Sequence, residues 1–347
     1  MECKKAASRC NFAAVIYLIV ASIAIEILVI VIGFVMSALG FNFSEILKND
    51  LYYNIILWSL QVLGMYIISY PVFHALTKHL PRRDLSEKTR LGFGEFIKVL
   101  IAMEGLMMIG SMAAGTVEDL INEFLGITVE DTTSELIGST NIWIVVLVVV
   151  VIGPIFEELI FRKAFVDSIG KYNSRLAIFI SGASFALFHG NITQAIYTFA
   201  VGLMLAWVYT KTKNILYPII LHMLLNFFGT VPSLLVMESY DRISGMTDEE
   251  LATSTDPTVM MDLMKVNAVS LMTLGFMFVG GIILLIMIFS GDFKLDRSDE
   301  VKMPFIWKLR TLIFNRGTLV FIIFSIITIL VNLFLPVINQ YLEGMGI

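Results

Sequence analysis

The sequence predicts an all-α protein, a polytopic integral membrane bundle of about nine transmembrane helices with a cytoplasmic N-terminus. Three observations predict this fold class: the composition, the length of the apolar runs and the placement of the basic residues. Of the 347 residues, 57% are hydrophobic and 15% are charged, and the mean hydropathy is +0.84. Soluble proteins carry about 25% charged residues. The composition therefore excludes a soluble enzyme.

Nine apolar runs account for the predicted spans. They lie at about Phe12–Leu39, Tyr52–Leu76, Phe93–Gly115, Asn141–Phe161, Leu176–Phe188, Ile192–Tyr209, Ile215–Met237, Val266–Phe289 and Gly317–Leu335. A spanning helix needs roughly 20 apolar residues, so the fifth run is short for a span. Because the runs lack the alternation that a membrane barrel requires, each is predicted to be helical.

The basic residues predict the orientation of the bundle. When nine spans alternate from a cytosolic N-terminus, all but three of the 24 Lys and Arg residues fall on the cytosolic side. The exceptions are Lys48, Arg242 and Lys265. The opposite side carries two acidic segments, 116–140 and 238–265. Since cytoplasmic loops are enriched in Lys and Arg, this asymmetry places the N-terminus inside and the C-terminus outside.

The same pattern divides the chain into six predicted segments. They are a cytoplasmic tail (1–11), N-terminal transmembrane helices (12–115), an acidic extracytoplasmic segment (116–140), a core (141–237), an acidic extracytoplasmic loop (238–265) and C-terminal transmembrane helices (266–347). The two cysteines, Cys3 and Cys10, both precede the first apolar run. They predict neither a disulfide framework nor a cysteine metal site.

Ionisable side chains inside the spans mark a candidate functional site. Each costs about 2.5–3.5 kcal/mol at the bilayer centre, so it indicates function by default. Glu158 and Arg162 have the i, i+4 spacing of an ion pair, which leaves Glu157 free to face another helix. Pro154 is expected to kink this helix. The alternative is that these charges simply mark the cytosolic end of a helix.

Three further polar residues are predicted to meet Glu157 at the same depth. Counted from the cytosolic turns at 1.5 Å per residue, Glu157 lies about 20 Å and His189 about 22 Å along their helices. His222 and Asn226 lie about 14–20 Å along the seventh helix, on one face. Pro218, four residues before His222, is interpreted as a helix-breaking residue beside a cavity.

These residue types suit the attack of water on a carbonyl group. A carboxylate beside a neutral imidazole can activate water, which is the role expected for Glu157 and His189. An imidazole and an amide can stabilise the developing oxyanion, which is the role expected for His222 and Asn226. One Glu with two His also suits zinc, which would use Glu157, His189 and His222. No His-Glu-x-x-His pattern is present, so the residues leave metal-dependent and metal-free chemistry open.

Three motifs carry a family resemblance over about Trp143–Met237. The motifs are Glu157-Glu158-x-x-x-Arg162, Phe185-x-x-x-His189 and His222-x-x-x-Asn226, on successive predicted helices. In this order they resemble the signature of the CAAX prenyl protease and bacteriocin-processing (CPBP) family of intramembrane proteases, formerly grouped as Abi proteins.

The resemblance implies an intramembrane endopeptidase, either glutamate-type or metal-dependent. Carried over, the catalytic roles fall on Glu157, His189, His222 and Asn226, while Glu158 and Arg162 support them. The metal-free mechanism is favoured, so no cofactor is expected to be required, with Zn²⁺ as the alternative. The implied partners are the lipid bilayer and a membrane-associated or lipidated peptide or protein substrate, not a nucleic acid. The implied location is the bacterial plasma membrane.

Two other functions remain open at the level of sequence. A catalytically silent bacteriocin-immunity or scaffold protein would keep the motifs without cleaving a substrate. A transporter would also place polar groups at the middle of broken helices. Two isolated acids, Glu26 and Glu104, are expected to form hydrogen bonds between helices or to contact a water cavity.

Overall fold

The computed structural model describes residues 2–127, 129, 132–295 and 302–344. Three residues used in the orientation argument, Glu130, Asp131 and Arg297, lie outside the described residues. Throughout the described ranges the regular structure is helical, and they contain no β-strand. The predicted all-α membrane fold is therefore confirmed.

In the described part of the chain, nine long helices correspond one to one to the nine predicted spans. They are α1 Glu2–Ala38, α2 Asp50–Thr77, α3 Phe93–Leu125, α4 Ile142–Gly170, α5 Ser174–Phe188, α6 Ile192–Thr212, α7 Leu216–Ser244, α8 Pro257–Ser290 and α9 Arg316–Gly344. Eight of them are long and apolar enough to cross a membrane. The exception is α5, whose 15 residues reach only about 22 Å. Short helices at Phe43–Ile46, Thr132–Gly138, Asp248–Thr253 and Phe305–Leu312 lie between them.

Several helices extend beyond the apolar runs that predicted them. The predicted cytoplasmic tail is the first part of α1, where Cys3, Cys10 and Asn11 are buried. Similarly, α3 continues into the acidic segment and ends only where Gly126 adopts a left-handed conformation with φ +66°. Hydropathy marks the part of a helix that faces lipid, whereas capping residues and tertiary contacts decide where the helix ends.

Close glycine contacts hold neighbouring helices together. A Cβ placed on Gly105 of α3 would lie 2.6 Å from the Cα of Gly280 in α8. At the contact of α5 with α6, a Cβ on Gly202 would lie 3.1 Å from the Cα of Gly182. Such distances leave no room for a side chain, so these helices approach backbone to backbone, as small residues allow in membrane proteins.

The apolar surface is divided between an interior and an outer face. One buried cluster joins α1, α4 and α5, and a second joins α3, α6 and α7. Large apolar side chains such as Phe34 in α1, Leu271 in α8 and Ile323 in α9 are exposed. An exposed apolar face of this extent is expected where a helix contacts lipid.

Candidate active site

The backbone of α4 departs from α-helical geometry on both sides of the glutamate pair. Two π-helical segments, Val146–Ile152 and Leu159–Val166, flank the α-helical turn Gly153–Glu158. The N–H of Gly153 donates to the carbonyl of Val148, five residues earlier. With the same five-residue spacing, the carbonyl of Val149 would accept a hydrogen bond from the N–H of residue 154. Residue 154 is Pro154, which has no N–H.

The carbonyl of Val149 is bonded instead by a side chain from another helix. Asn226 Nδ2 in α7 donates a hydrogen bond to it at 2.8 Å. Pro154, expected from the sequence to kink its helix, follows a π-helical stretch and leaves the Val149 carbonyl as an acceptor for Asn226. Pro218 does not act in this way, because it lies in the first turn of α7, where an N–H has no helical partner. The interpretation of Pro218 as a helix breaker is wrong.

Glu158 joins two basic side chains in the protein interior. Its Oε2 lies 2.9 Å from Arg162 Nε, which is the ion pair that the sequence predicts. The contact is an ion pair without hydrogen-bond alignment. Its Oε1 lies 2.9 Å from His222 Nδ1. All three side chains are buried, and the Arg162 guanidinium also lies over the ring of Phe185, 4.7 Å from its centroid.

His222 connects the two glutamates. A carboxylate accepts hydrogen bonds, so His222 Nδ1 must carry a hydrogen to bond Glu158. The other ring nitrogen, Nε2, lies 3.5 Å from Glu157 Oε2. The Glu157 side chain is 23% exposed, whereas that of Glu158 is 0% exposed. Glu157 is therefore the glutamate that faces the accessible side of the imidazole.

His189 lies at the end of α5. Its Nδ1 is 2.7 Å from the carbonyl oxygen of Phe185, so this nitrogen carries the hydrogen and Nε2 is left as an acceptor when the ring is neutral. The next residue, Gly190, turns the chain with φ +64° towards α6. Asn332 of α9 fixes this turn, because its Nδ2 donates to the carbonyl of Gly190 at 2.9 Å.

The structure brings the four predicted catalytic side chains to one cavity of about 240 Å³ inside the helical bundle. Glu157, His189, His222 and Asn226 all line it. Among the described residues, no ion pair or hydrogen bond joins Glu157 to His189. The two side chains would therefore interact through a molecule that lies between them in the cavity. Glu158 and Arg162 lie outside the cavity lining, and their supporting role stays a prediction.

Sequence reasoning missed several polar and aromatic side chains that complete the cavity. The additional lining includes Trp58, Gln61, Tyr66, Gln194, Tyr197 and Thr230. None of them belongs to a recognisable motif, and they come from α2, α6 and α7. A glutamine inside an apolar run was the available signal, because an amide in a membrane helix needs a partner or a polar cavity.

The two isolated acids do not join the site. Glu26 is exposed on α1, with no hydrogen bond recorded in the described part of the chain. Glu104 is fully buried in α3, and neither carboxyl oxygen has a hydrogen-bond partner among the described residues. The expected hydrogen bonds between helices are therefore not seen for either residue.

The spacing of the side chains in the site bears on the zinc alternative. Within the described ranges, no three His, Cys, Asp or Glu side chains come close enough together to hold a metal ion. The predicted set of Glu157, His189 and His222 is thus too dispersed in this conformation for the tetrahedral geometry that zinc prefers. Zinc stays a prediction that metal analysis would check.

Comparison with known proteins finds a family that the segment around this site matches. Residues 139–228 match the family described as "Type II CAAX prenyl endopeptidase Rce1-like". This segment includes all three motifs and most of the cavity lining. No solved structure matches the chain significantly.

Three bacterial proteins are similar to the chain. "Putative membrane peptidase YdiL" of Bacillus subtilis (strain 168) is 26% identical over 166 residues, which cover 48% of this chain and 68% of that protein. "Membrane-embedded CAAX protease MroQ" of Staphylococcus aureus (strain USA300) is 27% identical over 207 residues, or 56% and 78% of the two chains. "UPF0177 protein YxdF" of Lactococcus lactis subsp. lactis (strain IL1403) is 30% identical over 104 residues, or 30% and 58%.

These matches confirm the resemblance that the motifs carry. The family match ends at residue 228, within α7, and α8 and α9 lie outside it. Over residues 139–228, which hold all three motifs, the chain thus matches the Rce1-like family of type II CAAX prenyl endopeptidases.

Proposed function

We propose that the protein is an intramembrane endopeptidase that hydrolyses a peptide bond with water activated by Glu157. One observation carries the proposal: a carboxylate, two imidazoles and an amide from three different helices line a single cavity inside the bundle. The family match supports a protease, and the geometry suggests how the residues divide the work.

Glu157 is the proposed general base. A water molecule in the cavity would donate one hydrogen bond to Glu157 and another to Nε2 of His189, which is an acceptor in the neutral ring. As the water oxygen adds to the scissile carbonyl carbon, its proton passes to Glu157. The carbon–nitrogen bond then breaks, and the proton passes to the leaving amine.

His222 and Asn226 are the proposed oxyanion donors. Because Glu158 takes the Nδ1 hydrogen of His222, the imidazole can donate from Nε2 only when it is protonated. Asn226 uses one N–H for Val149 and retains a second for the oxyanion.

The proposed substrate is a membrane-associated or lipidated peptide or protein. The cavity lies between membrane-spanning helices, and Trp58, Tyr66, Phe185 and Leu225 supply aromatic and apolar surface beside the polar residues. A substrate anchored in the bilayer would reach such a site without leaving the membrane.

The test compares Glu157→Gln with a matched control, Glu26→Gln. Both changes remove a carboxylate from a membrane helix, but Glu26 is exposed and is not part of the cavity lining. Cells that lack their own copy would receive the wild-type gene or one variant, and peptide termini in membrane and secreted fractions would be compared by mass spectrometry. We expect a set of new termini with wild type and with Glu26→Gln that disappears with Glu157→Gln.

A purified assay gives the magnitude. With a peptide identified in cells and the full-length protein in lipid nanodiscs, Glu157→Gln should lower kcat roughly 10²–10⁴-fold. Cleavage that is the same in wild type and Glu157→Gln would contradict the proposal and favour a silent scaffold or a transporter.

A further inference from the structure

An open groove, larger than the cavity of the candidate active site, lies between the start of α1 and the start of α9. The groove and the cavity share none of their described lining residues. The groove has a volume of about 800 Å³. Its walls are held in place by two contacts: Ser8 Oγ accepts the N–H of Gly317 at 2.9 Å, and Asn11 Nδ2 donates to Thr318 Oγ1 at 2.9 Å. The groove is thus part of the packed contact between two helices.

The polar end of this groove is strongly cationic. Lys4, Lys5, Arg9 and Arg316 line it, and none of the described residues of its lining is a carboxylate. Arg9 donates from Nε to the carbonyl of Leu76 at 3.1 Å, which orients the guanidinium without neutralising it. Of these four cations, only Lys5 forms an ion pair with a described residue, an exposed one with Glu2. The groove therefore presents an excess of positive charge.

The other end of the groove is apolar. Phe12, Phe314, Leu319 and Val320 line it, and all four are exposed. In both helices the charges come first and the apolar run follows: Arg9 precedes Phe12 in α1, and Arg316 precedes Leu319 in α9. The groove thus crosses the level at which the membrane interface gives way to hydrocarbon.

We propose that this groove binds one anionic phospholipid. The headgroup phosphate would lie against Lys4, Arg9 and Arg316, and an acyl chain would follow Phe12 and Leu319 into the bilayer. Basic pockets between transmembrane helices on the cytoplasmic side are suited to anionic headgroups. The cations match the charge of the phosphate, and the apolar lining matches the acyl chain. The proposal does not depend on the proposed protease activity.

The test measures lipid retention by the full-length protein. Protein in detergent would be titrated with phosphatidylglycerol or phosphatidylcholine of the same acyl chains, and bound lipid would be counted by native mass spectrometry. We expect wild type to bind one phosphatidylglycerol more tightly than phosphatidylcholine. The variant Lys4→Gln/Arg9→Gln/Arg316→Gln should bind phosphatidylglycerol at least about tenfold more weakly. Inorganic phosphate at millimolar concentration should not displace the lipid, because it lacks the acyl chain.

The control variant is Lys88→Gln/Arg90→Gln, which removes exposed charges from the same side of the bundle outside the groove. It should bind phosphatidylglycerol as wild type does. Three outcomes would overturn the proposal: equal binding of both lipids by wild type, unchanged binding by the triple variant, or an equal loss in the control. Displacement by phosphate would show a headgroup-only anion site. Melting temperatures in phosphatidylcholine would verify that every variant is folded.

Discussion

The adjacent residues Glu157 and Glu158 differ in what their carboxylates contact. Glu158 is fully buried between Arg162 and His222, whereas Glu157 is partly exposed to the cavity. A buried charge that loses its partner is costly, but a carboxylate at a cavity can be replaced by an amide with little structural effect. Substitution of Glu158 is therefore expected to lower stability, whereas substitution of Glu157 is expected to lower activity.

Replacing Glu158 by Gln should destabilise the protein, because it leaves Arg162 buried without a countercharge. The expected loss is about 3–5 kcal/mol of unfolding free energy, seen as a lower midpoint of thermal unfolding in detergent. Glu157→Gln should abolish cleavage with little change in that midpoint. Equal losses of stability in both variants would contradict this division of roles.

Pro154 of α4 allows a hydrogen bond between α4 and α7. Pro154 and the π-helical register leave the carbonyl of Val149 to Asn226 of α7. Pro154→Ala would return a backbone N–H that can compete for this carbonyl. Asn226 would then be less firmly held at the cavity.

We expect Asn226→Ala and Pro154→Ala to be coupled in a double-mutant cycle. Asn226→Ala alone removes the side-chain donor to Val149, whereas in the Pro154→Ala background a backbone donor replaces it. The cost of Asn226→Ala should therefore be smaller in that background, by roughly 0.5–1.5 kcal/mol, measured by thermal unfolding. Strictly additive effects would show that the hydrogen bond has no connection to the proline.

The close contact between α5 and α6 fixes an aromatic ring that packs against both histidines of the site. A Cβ on Gly202 would lie 3.0 Å from the ring of Phe185, and this ring packs edge-on against both His189 and His222. Gly202→Val should therefore lower both stability, by about 1–3 kcal/mol, and cleavage. Gly275→Val in α8 is the matched control, because a Cβ there meets no atom within 4 Å. A similar loss in the control would point to helix propensity instead of packing.

At the scale of the whole molecule, the candidate active site lies nearer one end of the bundle. Trp58 and Gln61 in the first half of α2, and Gln194 near the start of α6, line the cavity on the side opposite the basic turns. Combined with the predicted orientation, this places the cavity in the extracytoplasmic half of the membrane.

Cysteine labelling in intact cells checks this orientation. The natural cysteines, Cys3 and Cys10, are buried, so background labelling should be low. A membrane-impermeant maleimide added outside should label Gln194→Cys but not Lys88→Cys, and inverted vesicles should give the opposite result. Labelling of Lys88→Cys from outside would reverse the predicted topology.

Much of the fold could be predicted from hydropathy and charge, and less of the site. The order and number of the long helices follow from the apolar runs, because lipid contact requires them. The packing of residues 2–11 could not be predicted, since it depends on contacts with α9 that no local pattern records. The motifs indicated that Glu157, His189, His222 and Asn226 would meet. The link from Glu158 to His222 and the cavity residues Gln61 and Gln194 arise from tertiary contacts between separate helices.

The hydrogen bond from Asn332 to the carbonyl of Gly190 connects α9 to the residue that follows His189 in the candidate active site. Asn332 lies in α9, beyond the segment that the family shares, yet it steadies the turn that directly follows His189. An excised fragment spanning 139–228 would lack this brace. We therefore expect that a minimal version of this protein would have to include α9 to keep the candidate active site in this conformation.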